Sequence, residues 1–132
     1  MKNTGKSSEV DFESYWTARG KAAHVERLVD AAEIKGRTGR IGMARAQPSD
    51  YIVTYKGETF YAEVKSTIEQ KVMRPSLLKM GQRSKATMIT AAGGKYLIFV
   101  HSIARDCWFC IPFQKFPIKS TPWKELESFK WI

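Results

Sequence analysis

Two runs rich in β-branched and aromatic residues, Tyr51-Ile-Val-Thr-Tyr55 and Glu58-Thr-Phe-Tyr-Ala-Glu63-Val64-Lys65, are separated only by Lys56-Gly57. Runs of this composition around a two-residue turn signal ending in glycine specify an antiparallel hairpin. A turn centred on Lys56-Gly57 places Asp50 directly across from Glu63, with Cβ atoms about 5 Å apart, where like charges repel unless a cation lies between them. Lys65 lies two residues beyond Glu63 and therefore shares its face. Register decides this arrangement, because a three-residue loop would turn Asp50 to the opposite face.

Two carboxylates and an ammonium on one patch of sheet are what metal-assisted phosphodiester hydrolysis requires. The carboxylates suit Mg²⁺, which binds few protein oxygens and keeps several waters, with Mn²⁺ able to replace it; Lys65 can orient or help deprotonate the attacking water. A surface salt bridge between Lys65 and an acidic neighbour fits the residue pattern equally well.

Pro48-Ser49-Asp50 with Glu63-Val64-Lys65 resembles the PD-(D/E)XK nuclease superfamily. Within it, residues 49 to 67 look most like the RecU Holliday junction resolvases, and Gly20-Lys-Ala-Ala-His-Val-Glu26-Arg27 is similar to the opening helix of the archaeal Hjc resolvases. The likeness runs from about Ala18 to Pro112. RecU proteins insert a long stalk before the catalytic Asp, whereas here the Arg- and Gly-rich stretch Lys35 to Gln47 fills that place. The resemblance implies an α/β fold with a central mixed β-sheet flanked by helices in α-β-β-β-α-β order. It also implies a magnesium-dependent endonuclease leaving 5′-phosphate and 3′-hydroxyl ends, in which Asp50, Glu63 and the Val64 carbonyl hold metal. A four-way junction cut symmetrically needs two active sites, so a two-fold homodimer accompanies that function.

From Lys21 to about Glu33, the residues Ala22, Val25, Leu28, Val29 and Ala32 recur at helical spacing before Gly36, predicting a first helix packed on the sheet. Glu26 sits beside that stripe and by itself reads as a solvated glutamate; the Hjc-like context implies a metal-holding role for it, with Glu13 the fallback acid. A second helix is expected from Pro75 to Ala92, closed by Gly93-Gly94. On it Gln82 shares a face with Leu78, Ala86 and Ile89. A polar amide in an apolar stripe must be hydrogen-bonded or its desolvation costs about 1–3 kcal/mol. Gln82 therefore either caps backbone in the core or, as in many nucleases of the resembled superfamily, reaches the active site.

Strands are further expected near Ile41 and Met43, from Tyr96 to His101 and from Cys107 to Ile111, and residues 1 to 10 read as a flexible tail on one nuclease domain spanning 1–132. Trp123, Phe129 and Trp131 in the C-terminal tail suit capping of the core or a dimer contact. Cys107 and Cys110 have metal-ligand spacing, but in a strand residues three apart face opposite sides, which predicts reduced, packed thiols.

A formal charge of +9 on 132 residues calls for an acidic partner, and for a soluble basic domain nucleic acid is the commonest. Arg19, matching a basic position of the resolvases, together with Arg37, Arg40, Arg45, Arg74, Lys79, Arg83 and Lys85, would contact phosphates on either side of the metal site. Each could equally be a solvated charge. No recognition-helix, zinc-finger or aromatic-platform pattern points to base reading, so binding should follow DNA shape and charge. No apolar stretch is long enough to span a bilayer and the start lacks a signal-peptide core, which gives a cytoplasmic protein; its compact length suits a phage- or plasmid-encoded recombination enzyme. The expected substrate is DNA at four-way junctions. The alternatives are another DNA structure, such as a flap or duplex, and a basic binding module without chemistry.

Overall fold

The computed structural model describes residues 4–29 and 47–132. In chain order these form α1 (Thr4–Thr17), a 3-10 turn (Gly20–Ala22), β1 (Ala23–Arg27), β2 (Tyr51–Tyr55), β3 (Glu58–Thr67), β4 (Val72–Met73), a 3-10 turn (Pro75–Leu77) and α2 (Met80–Ala91). There follow β5 (Tyr96–Ser102), β6 (Cys107–Pro112), a 3-10 turn (Phe113–Lys115), β7 (Thr121–Pro122) and a 3-10 stretch (Trp123–Phe129).

The hairpin forms in the register that a two-residue loop dictates. Lys56 and Gly57 adopt φ of 52° and 77°, the left-handed pair that a type I′ turn demands, and Tyr51 to Tyr55 pair antiparallel with Ala62 to Glu58. Five strands run β1-β2-β3-β5-β6 across a mixed sheet, with β3 and β5 parallel and the other neighbours antiparallel. A parallel pair cannot be joined by a tight turn, and here the connection carries α2. β4 and β7 pair separately as a two-stranded ribbon.

Alternation along the strands builds a core on each face of the sheet. Phe12 and Trp16 of α1 pack against Tyr51, Val53, Phe60, Ala62, Val64, Phe99 and Trp108. Leu78 and Ala86 on the α2 side pack with Tyr96, Ile98, Val100, Phe109 and Ile111, joined by Phe116, Trp123 and Leu126 from the C-terminal tail. The tail therefore caps the core. Trp123 is fully buried and donates its indole N–H to the Glu69 carbonyl at 3.1 Å. Trp131 stacks on Trp16 at 5.8 Å, and its backbone N–H bonds the Trp108 carbonyl alongside β6.

The N-terminal third corrects the sequence reading. The helix expected from Lys21 to Glu33 is not found in the described part of that range, where Gly20–Ala22 make one 3-10 turn and Ala23–Arg27 form β1, paired with β2. The first helix comes earlier, at Thr4–Thr17, across much of the segment expected to be a flexible tail. Its buried stripe consists of Ser8, Phe12 and Trp16, one residue per turn, which secures the helix by packing rather than by a broad apolar face. The α-β-β-β-α-β order holds, with these residues supplying the first two elements. The strand expected near Ile41 and Met43 lies outside the described residues.

Cys107 packs into the core on the α2 side and Cys110 into the core on the α1 side, so their thiols face opposite ways as strand alternation requires. Both are free, and burial pushes the Cys110 thiol up to about 12. Among the described residues no helix is long and apolar enough to cross a membrane.

Candidate active site

The hairpin, β5 and α2 bring Asp50, Glu63, Lys65 and Gln82 together. Asp50 directly precedes β2, and its backbone carbonyl accepts from Leu28 N–H at 2.9 Å, which extends the β1–β2 ladder by one step. Its side chain turns towards β3, where Oδ2 accepts the Val64 N–H at 2.9 Å. Glu63 is 2% exposed. Its Oε2 accepts from Gln82 Nε2 at 2.8 Å and lies 3.5 Å from Lys65 Nζ. The Tyr96 hydroxyl, 3.4 Å from Glu63 Oε1, donates to the Pro48 carbonyl at 2.7 Å.

Gln82 uses both ends of its amide. Oε1 accepts from the Lys79 backbone N–H at 2.9 Å, capping the first turn of α2, while Nε2 donates to Glu63. The half-buried amide thus caps the helix and holds Glu63 at once.

Asp50, Glu63 and Gln82 open on a cleft of about 730 Å³ that Ser49, Lys79 and Lys85 also line. Burial is the largest influence on both carboxyl groups. It raises Asp50, against the pull of the Val64 N–H and of Lys65. Glu63 is pushed up to about 8 by burial and then by the charge of Asp50, with Lys65 opposing. A carboxyl group that holds its proton so far above the usual range marks a place where negative charge is under-compensated.

That imbalance is the basis for asking which ion the residues fit. Among the described residues no three His, Cys, Asp or Glu side chains stand close enough to enclose an ion. Two carboxylates bordering an open cleft do not make a closed nitrogen and sulfur zinc cage, but they match Mg²⁺, which binds through one or two carboxylates and retains its waters.

The chain matches no family model and no curated protein in sequence. Its backbone, however, superposes on Hjc of Archaeoglobus fulgidus, a Holliday junction resolvase from an archaeal hyperthermophile, with a TM-score of 0.63 at 13% identity. The match covers 98% of this chain and 91% of that one. The fold is that of the Hjc nuclease.

Other sequence-derived site residues lie elsewhere. Glu26 is on β1, not on a helix; it is exposed, 3.0 Å from His24 Nε2, and absent from the cleft lining. Its metal-holding role was what the likeness of Gly20 to Arg27 to the opening helix of the Hjc resolvases implied. Glu13, the fallback acid, is on α1 and accepts from the Tyr51 hydroxyl at 2.7 Å. One turn earlier on the same helix, Glu9 reaches the lining of the cleft, as does Arg27 from the end of β1. Neither was singled out from the sequence. The only available signal for Glu9 was its position between Ser8 and Phe12, which carry the buried stripe of α1.

Among the basic residues, Lys79 and Lys85 line the cleft. Arg19 lies over the Tyr15 ring at 3.5 Å and donates to the Tyr15 carbonyl. Arg74 pairs with Glu69 at 3.0 Å, and Arg83 donates to the Pro75 carbonyl at 2.9 Å beside the Phe116 ring. Arg37, Arg40 and Arg45 lie outside the described residues. For Val64 the structure gives the N–H bond to Asp50 and a side chain packed into the core on the α1 side.

Proposed function

We propose that this chain is a metal-dependent DNA endonuclease that resolves four-way junctions as a two-fold homodimer. The observation that carries the reading is the meeting of Asp50, Glu63 and Gln82 on one cleft, with Lys65 3.5 Å from Glu63, in a chain with the fold of a protein described as a Holliday junction resolvase.

In this reading Asp50 and Glu63, assisted by the Val64 carbonyl, hold Mg²⁺, with Mn²⁺ able to replace it. The bound ion would neutralise charge developing on the scissile phosphate and lower the pKa of a bound water. Asp50 keeps one oxygen engaged by the Val64 N–H, which fixes its orientation without consuming its charge. Glu63 is held from α2 by Gln82, which cannot compete for the proton. Lys65, 3.5 Å from Glu63 and mostly buried, would orient the attacking water by donating a hydrogen bond to it. Lys79 and Lys85, at the rim of the cleft, take phosphates flanking the cut, and the net charge of +9 draws the DNA in.

The substrate is tested by offering a labelled four-way junction beside a linear duplex built from the same arms. Paired symmetric nicks on the junction alone are expected. Equal cutting of both would leave a metal nuclease of another DNA structure, and junction binding without cutting would leave a module that has kept the fold but lost the chemistry.

A further inference from the structure

The geometry points to Tyr96 as a positioning residue that sets the spacing of the two carboxylates, an inference that rests on the metal-nuclease reading of the same site. Tyr96 opens β5, the strand parallel to β3, and pairs with Tyr61 two residues before Ile98 pairs with Glu63. It is fully buried. Its ring is stacked on Tyr61 at 6.2 Å and 13° and meets Phe113 edge-on at 6.2 Å, so the hydroxyl has a fixed location.

That location touches both halves of the acidic pair. Towards β2, the hydroxyl proton is donated to the carbonyl of Pro48 at 2.7 Å, two residues before Asp50. The Pro48-Ser49-Asp50 turn is then held at successive points, by Tyr96 at Pro48, by Ser49 Oγ donating to the Tyr51 carbonyl at 2.7 Å, and by the Leu28 N–H at the Asp50 carbonyl. Towards β3, the same hydroxyl oxygen lies 3.4 Å from Glu63 Oε1. Glu63 Oε2 is already engaged by Gln82 and Lys65, so Tyr96 borders the other oxygen. One rigid phenol thus braces the turn that carries Asp50 against the carboxyl of Glu63. Proline has no N–H, and the brace at this point relies on its carbonyl alone.

Partners that orient ligating carboxylates affect metal affinity much as the ligands do, typically by about 10- to 100-fold when removed. Tyr96→Phe deletes one oxygen and leaves the ring packing intact, and Tyr61→Phe deletes the neighbouring hydroxyl as a control. The experiment measures Mn²⁺ binding by titration calorimetry without DNA, the half-saturating Mg²⁺ concentration and the maximal rate of junction cleavage, and the thermal midpoint in EDTA. For Tyr96→Phe, Mn²⁺ affinity should fall at least about tenfold with half-saturating Mg²⁺ rising in parallel. The rate at saturating metal should stay near wild type, and Tyr61→Phe should change neither. Unchanged metal affinity in Tyr96→Phe, an equal loss in Tyr61→Phe, or a slower maximal rate with unchanged metal dependence would each overturn the inference. Wild-type protein that binds no Mn²⁺ would remove the metal-nuclease reading first and the role of Tyr96 with it.

Discussion

Glu63 is the residue on which the site is most exposed to test without any substrate. Burial and the charge of Asp50 raise its folded pKa to about 8, above the 4.5 of an unperturbed glutamic acid. Between those values the folded chain holds a proton that the unfolded chain has released. The stabilisation is complete below about pH 4.5 and is lost as pH rises through about 8. The thermal midpoint of the protein in EDTA should accordingly fall across that window, and Glu63→Gln, which cannot titrate, should flatten this part of the profile. A profile identical in both proteins would mean that Glu63 is already ionised. Gln82 gives a second prediction. Gln82→Ala removes the bond to Glu63 and the cap on the Lys79 N–H together, so it should cost about 1–2 kcal/mol in denaturant unfolding and slow cleavage at any metal concentration.

The elements differ in how openly the sequence declares them. The β2–β3 hairpin carried its own register, because a two-residue turn with glycine second leaves one pairing that keeps Val53, Phe60, Ala62 and Val64 on a common buried face. Helix α2 was legible from Gln82, Ala86 and Ile89, although it starts at Met80 and the expected start at Pro75 is a separate 3-10 turn. In contrast, α1 and β1 were exchanged. β1 is a short strand whose inward residues are only Ala23 and Val25, and with Leu28, Val29 and Ala32 further on they mimic helical spacing. α1 exposes most of its surface and buries a stripe of Ser8, Phe12 and Trp16, too narrow to stand out from a polar segment. The same exchange left Glu26 on β1, away from the cleft that Glu9 of α1 lines. If α1 is secured by that stripe, Phe12→Ala or Trp16→Ala should lower stability by about 3–5 kcal/mol in denaturant unfolding. A loss below about 1 kcal/mol would show that the helix contributes little to the fold.

The molecule as a whole sets two buried carboxyl groups in a cleft that Lys79 and Lys85 also line, in a chain of net charge +9, and this predicts how it meets DNA. Affinity carried by phosphate contacts falls linearly with the logarithm of salt, with a slope of about −0.9 per neutralised phosphate. Binding to a four-way junction should therefore weaken steeply between low and physiological salt, and Lys79→Ala with Lys85→Ala should reduce the slope by about two. A flat salt response would contradict the DNA reading. The fold was legible because one hairpin fixed the centre of the sheet and the rest of the apolar runs could only pack around it. A surface for the proposed dimer was not, because the aromatic tail that suited such a contact packs into the core instead.

The most direct measurement is cleavage of a labelled four-way junction by the wild type with Mg²⁺ and with EDTA, beside Asp50→Asn and Lys65→Ala. Cleavage by the wild type with Mg²⁺, and its loss in EDTA and in both variants whose folding is intact by thermal unfolding, is the expected result. Wild-type rates in Asp50→Asn and Lys65→Ala would place the chemistry away from Asp50, Glu63 and Lys65.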